Sequence, residues 1–300
     1  MITVSNISKS YGPVQALRDV SFRVQPGEIF GVIGPDGAGK TSLFRILATL
    51  LLPGSGSATI QDLDVVRDYK RLRSMLGYMP GRFSLYQDLT VEENLQFFAS
   101  VFGTSIQENY ALIKEIYVQI EPFKKRRAGA LSGGMKQKLA LCCALIHKPE
   151  VLILDEPGTG VDPVSRKEFW DMLKRLKNWG ITILVSTPYM DEAGLCDRVA
   201  LLQNGAIMAI DTPKGIVQGY SRPLYAVRSG DMYRLIRDLR ALDIAAGCYA
   251  FGEYAHLSLH TDSWNEPDIR LYLLSKGHEY VEVHPIEAGV EDCFIELMKP

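Results

Sequence analysis

The stretch GPDGAGKT, Gly34 to Thr41, lies between an apolar, strand-like run and the helix-like segment SLFRILATL. It matches the pattern G-x-x-x-x-G-K-[ST] in the strand–loop–helix context that makes the pattern meaningful. The glycines let backbone N–H groups turn inward around phosphates, and the helix adds its positive N-terminal end. Lys40 places a charge between the phosphates, and the Thr41 hydroxyl can ligate Mg²⁺. The nucleoside triphosphate site predicted here comprises Gly34, Pro35, Asp36, Gly37, Ala38, Gly39, Lys40, Thr41 and Ser42.

Three nearly continuous apolar runs indicate the architecture around this loop. They are EIFGVIG (Glu28–Gly34), VLILDE (Val151–Glu156) and ITILVST (Ile181–Thr187). Such runs are typical of parallel strands that helices cover on both faces. Strand-like and helix-like segments alternate as far as about Gly219, which predicts an α/β fold.

Two carboxylates, Asp155 and Glu156, end the second of these runs. Adjacent buried acids are costly unless a cation or hydrogen bonds offset their charge, and a phosphate-bound Mg²⁺ would do so. We therefore expect Asp155 to hold Mg²⁺ together with Thr41. Glu156 is expected to orient or deprotonate the water that attacks the γ-phosphate. The alternative, a cluster that caps a helix, is disfavoured because Pro157 and two glycines follow.

A second glycine motif, LSGGM, opens the helical segment that runs to about Pro149. Ser132, Gly133 and Gly134 offer a hydroxyl and bare N–H groups at the positive end of a helix, which makes a second phosphate-binding surface. One chain has no obvious need for two such surfaces, whereas a dimer does. The motif therefore predicts that a second chain takes part.

With these motifs in this order, the sequence resembles the nucleotide-binding subunit of ABC transporters over about Ile2 to Gly219. The matching segments are the Walker A loop GPDGAGKT, the signature LSGGM, the Walker B strand VLILDEP and the D-loop GVDP (Gly160–Pro163). The resemblance implies a P-loop ATPase cassette, with a mixed sheet, a helical subdomain, and ATP and Mg²⁺ as cofactors. It also implies that Tyr11 stacks on adenine and that Asp162, in the D-loop, lies at the nucleotide site.

The same resemblance implies partners. In that family two cassettes pair head to tail, each ATP lies between one chain's Walker loop and the other's signature, and closing the pair moves attached membrane subunits. The segments LSGGMKQKLAL, GVDPVSR and YMDEA are most similar to bacterial ABC-2 type exporters of the multidrug-efflux kind, whose permeases are separate chains. We therefore expect integral membrane permease subunits as partners and a peripheral position on the cytoplasmic face of the inner membrane.

Two positions depart from the family's pattern. Gly81 stands where the Q-loop carries a glutamine that contacts Mg²⁺ or the attacking water, and Pro188 stands where the family has its switch histidine on the γ-phosphate. Glycine offers no side chain, and proline lacks even the backbone N–H. Gly158 is a milder change, at a position where a hydroxyl residue is usual. These departures favour an impaired site in this chain, and a heterodimer with a second ABC ATPase over a homodimer.

The composition restricts the other functions to be considered. A net charge of −2 gives no bulk attraction to nucleic acid, and the 5 cysteines form no C-x-x-C pair. No signal peptide is expected at the N-terminus, and the longest apolar stretch is too short to cross a bilayer. Two alternatives stay open: a soluble ABC-type ATPase that acts on ribosomes or DNA, and a regulatory subunit that binds ATP without hydrolysing it.

After about Gly219 the segments become shorter. LYAVR, DMYRLIRDLRAL, CYAF, HLSLH, PDIRLYLLSK and YVEVHPI follow one another before a last helix. They predict the order βαββαβ, which is that of a small ferredoxin-like α+β domain. We therefore expect an ATPase domain over residues 1–219 and an accessory or regulatory domain over residues 220–300.

Overall fold

The computed structural model describes residues 1–298. This part of the chain divides into two compact units, one from Met1 to Lys214 and one that begins at Gly215. No helix within residues 1–298 has both the length and the apolar character needed to cross a bilayer.

The first unit is built on two sheets. Its strands are β1 (Ile2–Tyr11), β2 (Val14–Val24), β3 (Ile29–Ile33), β4 (Ser55–Ile60), β5 (Leu63–Asp64), β6 (Leu76–Met79), β7 (Val151–Asp155), β8 (Thr182–Thr187), β9 (Arg198–Gln203) and β10 (Ala206–Asp211). One sheet has the order β10-β9-β3-β8-β7-β6, parallel except for β10. The other, β2-β1-β4-β5, is antiparallel throughout. The predicted α/β class and mixed sheet are thus confirmed, and β3, β7 and β8 are buried along their whole length.

The helices of this unit follow the predicted pattern, with a helical region between β6 and β7. They are α1 (Lys40–Leu47), α2 (Tyr69–Met75), α3 (Val91–Val101), α4 (Tyr110–Tyr117), α5 (Gly133–Leu145) and α6 (Pro163–Asn178), followed by α7 (Pro213–Gln218) at the division between the units. Short 3₁₀ helices cover Glu121–Phe123, Ala128–Ala130 and Met190–Leu195.

Helix α1, which follows the phosphate loop, is held by a core that joins the two sheets. Phe44 and Leu47 of α1 are buried in one cluster with Ile7 of β1 and Phe30 of β3. The Phe30 ring stacks on that of Phe22 with centroids 5.2 Å apart. Burying a large apolar side chain stabilises a fold by roughly 1.5–3 kcal/mol, so this cluster holds α1 firmly against both sheets.

The second unit contains β11 (Leu224–Arg228), α8 (Met232–Arg240), β12 (Ala245–Phe251), β13 (Tyr254–Leu259), α9 (Glu266–Ser275), β14 (Glu282–Pro285) and α10 (Val290–Leu297). Its four-stranded sheet has the order β12-β13-β11-β14, and all neighbours are antiparallel. The predicted βαββαβ order and last helix are confirmed. A separate hydrophobic cluster of strand and helix residues, including Val227, Leu235, Leu257 and Leu273, forms the core of this unit.

A chain that ends after Gly219 should still fold and bind ATP. The two hydrophobic clusters share no residue, so each unit has its own core. Circular dichroism and ATP calorimetry on the shortened chain test this expectation. Insolubility with newly exposed apolar surface on the remaining part would show instead that the two parts share one core.

Candidate nucleotide site

The loop between β3 and α1 has the shape that its glycines permit and other residues would not. Gly37 and Gly39 have φ angles of 81° and 107°, in the left-handed region that side chains disfavour. A Cβ atom on Gly34 would lie 2.0 Å from the Leu202 carbonyl oxygen, and one on Gly39 would lie 2.3 Å from that of Ala16. The loop is therefore closed tightly against the neighbouring strands.

Lys40 lies inside this loop and is 3% exposed. Its Nζ donates hydrogen bonds to the carbonyl oxygens of Gly34 and Pro35, at 2.7 and 2.9 Å. The same Nζ is 3.0 Å from Oε1 of Glu156. The cation of the loop and the acid at the end of β7, predicted separately from the sequence, therefore form one ion pair.

Asp155 and Thr41 are also brought together. Thr41 Oγ1 donates to Asp155 Oδ1 at 3.3 Å, and Ser186 Oγ donates to the same oxygen at 2.9 Å. Burial raises the pKa of the Asp155 carboxyl above its usual value, and the hydrogen bonds from Ser186 and Thr41 oppose that rise. A buried carboxylate beside a hydroxyl is a pair of hard oxygen ligands next to the phosphate loop.

Glu156 is held at the end of β7 in an unusual backbone conformation. Its φ angle is 49°, which is rare for a residue other than glycine. Its backbone N–H donates to the carbonyl oxygen and to Oγ of Ser186, at 3.1 and 2.9 Å. Ser186 thus supports both acids, although the sequence motifs did not point to it. A polar residue near the end of the otherwise apolar run of β8 was the available signal.

Tyr11 lies next to the start of α1. Its hydroxyl is 3.4 Å from Oγ of Ser42, the Lys9 ammonium is 5.6 Å from its ring centroid, and 47% of the residue is exposed. The last residue of β1 and the third residue of α1 are therefore neighbours. An exposed aromatic ring at this edge of the loop is available for stacking.

The second glycine motif forms the start of α5, as predicted. Ser132 is the N-cap and its Oγ accepts from the Met135 N–H at 3.4 Å. Gly134 packs so closely on α6 that a Cβ atom would lie 2.6 Å from Ser165 Oγ, and the Cβ position of Gly133 is 3.5 Å from the Gly160 carbonyl oxygen. The structure thus places this motif against the D-loop and the helix that follows it.

Asp162, the predicted D-loop residue, caps helix α6. Its Oδ1 accepts from the backbone N–H groups of Val164 and Ser165, at 3.1 and 3.0 Å. Both bonds lower the pKa of the Asp162 carboxyl, and the bond from Ser165 has the larger effect. Pro163 is the first residue of the helix, as its sequence position indicated.

The two positions that depart from the family pattern both adjoin this site. A Cβ atom on Gly81 would lie 2.9 Å from the Asp155 carbonyl oxygen, so a side chain there requires the loop to move. Pro188 directly follows β8, whose last residue, Thr187, accepts a hydrogen bond from the Gly34 N–H at 3.3 Å. At Gly158 a Cβ atom would be 3.2 Å from Arg166 Cδ, so a side chain would crowd that arginine.

An apolar groove of about 650 Å³ opens between α1, the segment after β6 and the helical region. Its lining includes Leu50, Tyr78, Leu85, Phe98, Val101 and Phe102. Leu50 and Val101 are 56% and 60% exposed. The segment that contains Gly81 therefore has the nucleotide site on one side and this groove on the other.

Comparison with known proteins identifies the family. The family model described as ABC transporter matches residues 17–159. The protein named "Probable multidrug ABC transporter ATP-binding protein YbhF" from Escherichia coli K12 is 39% identical over 99% of this chain and 52% of its own length. The chain thus spans about half the length of that relative. "Nod factor export ATP-binding protein I" from Burkholderia lata is 38% identical over 72% of each chain.

A solved structure of the ATP binding subunit of an ABC transporter superposes with a TM-score of 0.67 at 29% identity, over 74% of this chain and 95% of the other. None of these three is named as an ATPase of ribosomes or DNA, the first alternative raised by the sequence. The chain belongs to the family of ABC transporter ATP-binding proteins.

Proposed function

We propose that this protein is the ATP-hydrolysing subunit of an ABC exporter of the ABC-2 type. The observation that carries the proposal is the meeting of Lys40, Glu156, Thr41 and Asp155 at one loop. The Gly34–Ser42 segment would hold the phosphates, with Lys40 exchanging its present carbonyl partners for phosphate oxygens. Tyr11 would stack on the adenine, and Glu156, released from Lys40, would orient the attacking water.

Mg²⁺ fits the oxygen atoms next to this loop. Mg²⁺ is usually held by one or two carboxylates together with substrate phosphates, and a hydroxyl and a carboxylate, those of Thr41 and Asp155, are available here. A cation there would also offset the cost of burying the ionised Asp155. When bound, it would neutralise charge on the phosphates, while Ser186 keeps the Asp155 carboxylate in place.

A second ABC ATPase would complete each nucleotide site. In the motif Ser132, Gly133 and Gly134, the first two residues are exposed at the capped start of α5, while Gly134 packs on α6. The exposed hydroxyl and N–H groups would meet the nucleotide of a facing chain. A heterodimer is favoured over a homodimer because Gly81 and Pro188 deprive this chain's own site of two side chains. No nucleic acid is expected as a partner.

The apolar groove beside the Gly81 segment would receive a segment of the permease. The lining is mostly apolar, with Arg45, Arg73 and His147 among it, and the exposed Leu50 and Val101 suit the apolar face of a helix from a membrane subunit. Because Met79 and Pro80 line this groove directly before Gly81, a segment bound there would press on the loop that touches Asp155. This arrangement would place the protein on the cytoplasmic face of the inner membrane.

Val101→Asp tests the exporter proposal. Burying a carboxylate in this mostly apolar groove costs several kcal/mol, so binding of the membrane subunit should weaken on the order of 100-fold. Copurification of the permease should be lost while ATP affinity stays unchanged. Val118→Asp is the matched control, because Val118 is 48% exposed but does not line the groove. Equal copurification with both variants would contradict the docking site, and copurification with ribosomes or DNA instead of a membrane protein would contradict the exporter function.

A further inference from the structure

Gln137, in the second turn of α5, is a buried amide with one partner. The residue is 4% exposed, and its Nε2 donates to the Pro157 carbonyl oxygen at 2.7 Å. Within residues 1–298 its Oε1 has no hydrogen-bond partner. Because a carbonyl oxygen can only accept, the NH₂ group must face Pro157 and the free oxygen must face away from it. A buried amide with an unused acceptor is costly, so the side chain calls for an explanation beyond packing.

This hydrogen bond connects the two phosphate-binding surfaces of the chain. Pro157 follows Glu156, whose carboxylate is 3.0 Å from Lys40 Nζ in the phosphate loop. At the other end, Gln137 lies five positions after Ser132, the cap of α5. A continuous series of contacts therefore runs from Lys40 through Glu156, Pro157 and Gln137 to the start of α5.

The surroundings of Gln137 leave room for this series of contacts to move. A cavity of about 140 Å³ is lined by Pro80, Gly81, Gly133, Gln137, Pro157 and Gly160. Its lining residues come from the Gly81 segment, the start of α5 and the D-loop. At this cavity, the hydrogen bond from the Gln137 amide to the Pro157 carbonyl oxygen joins α5 to the Glu156–Pro157 segment. The cavity leaves space for a shift of that segment, and the amide would then transmit the shift to α5.

We propose that Gln137 is a positioning residue that transmits nucleotide occupancy of the phosphate loop to the signature motif of the same chain. Phosphate oxygens compete with Glu156 for Lys40, and the freed Glu156 moves Pro157. The Pro157 carbonyl then draws Gln137 and resets Ser132, Gly133 and Gly134. The signature surface thus becomes ready for the facing nucleotide only when the chain's own loop is filled. The inference rests on the proposed function in that the ligand at the loop is MgATP.

Hydrogen–deuterium exchange of the full chain, with and without MgATP, tests this role. It is measured at a concentration at which sedimentation shows single chains, so that pairing does not protect the signature. In the parent protein MgATP should slow exchange in the phosphate loop and change exchange in residues 133–138. In Gln137→Met, which keeps the shape and removes the amide, the loop should respond as before. The change in exchange that MgATP causes in residues 133–138 should be about fivefold smaller, because one neutral hydrogen bond shifts an equilibrium by about that factor.

Two further variants make the test specific. Gln119→Met removes an amide-to-carbonyl bond, to Glu115 at 3.2 Å, at an exposed position, and both responses should persist. Gln137→Leu also removes the donor and places no charge in the buried position, so it should behave like Gln137→Met and carries the test if that variant unfolds. An unchanged response of residues 133–138 in either Gln137 variant, or no such response in the parent, overturns the inference alone. Absence of loop protection in the parent overturns ATP binding as well.

Discussion

Lys40→Ala should weaken MgATP binding about 100-fold, which is the size of effect expected for losing a charge-assisted hydrogen bond worth up to about 3 kcal/mol in a partly dry site. The Lys40 ammonium is almost fully buried, and its present partners are two loop carbonyls and the Glu156 carboxylate. Lys40 is the ammonium that this loop encloses, and without it the loop offers only backbone N–H dipoles to the phosphate charge. Isothermal titration calorimetry with MgATP gives the measurement.

The control for this prediction is Lys177→Ala. Lys177 is also ion-paired, to Asp197, but at the end of α6. Its removal should leave the ATP affinity unchanged. Thermal unfolding of both variants separates a binding defect from loss of structure, because Lys40→Ala also leaves Glu156 without its partner. Equal ATP affinity in Lys40→Ala and the parent would mean that the loop does not bind phosphate.

Short-range patterns were sufficient to predict the strands and helices around the site. The Asp162–Pro163 cap and the glycines of the phosphate loop encode their structure within a few residues. Continuous apolar runs likewise identified β3, β7 and β8, because parallel strands buried on both faces tolerate few polar residues.

Contacts between distant segments could not be predicted in this way. Ser186 meets Asp155, and Gln137 meets Pro157, only because α5, β7 and β8 pack together. No local pattern reports such a pairing. The same limit applies to Gly81, which the sequence presents as a missing glutamine. In the fold it is a glycine pressed against the Asp155 carbonyl, so that its lack of a side chain is also a packing requirement.

The isolated chain should hydrolyse ATP slowly, because its site has Gly81 and Pro188 in place of the family's glutamine and histidine. Losing one well-placed donor to the transition state costs about 100- to 1000-fold in rate. Lys40, Thr41, Asp155 and Glu156 remain, so MgATP should bind and stay bound for long periods. Adding a partner ATPase that has both side chains should give a pair in which the site completed by this chain's Ser132–Gly134 turns over faster by at least about 100-fold.

Pro188→His and Gly81→Gln should have opposite effects on the slow turnover of the isolated chain. Two hydrogen bonds lie next to position 188. The Gly34 N–H donates to the Thr187 carbonyl oxygen and the Tyr189 N–H donates to Thr187 Oγ1, so neither uses an atom of residue 188. A histidine can therefore enter without breaking them, and it should raise phosphate release by roughly tenfold or more, since it restores one of the missing donors.

A glutamine substituted for Gly81 should not raise turnover. Its Cβ atom would lie 2.9 Å from the Asp155 carbonyl oxygen and would displace the strand end that carries both acids. Gly81→Gln should therefore lower turnover, and Pro26→His, in the exposed turn before β3, should leave it unchanged. Phosphate release at saturating MgATP measures all three variants. Brisk hydrolysis by the parent chain alone, abolished by Glu156→Gln, would mean that the site works without either side chain. The heterodimer would then lose its main support, since the asymmetry between two sites rests on those two positions.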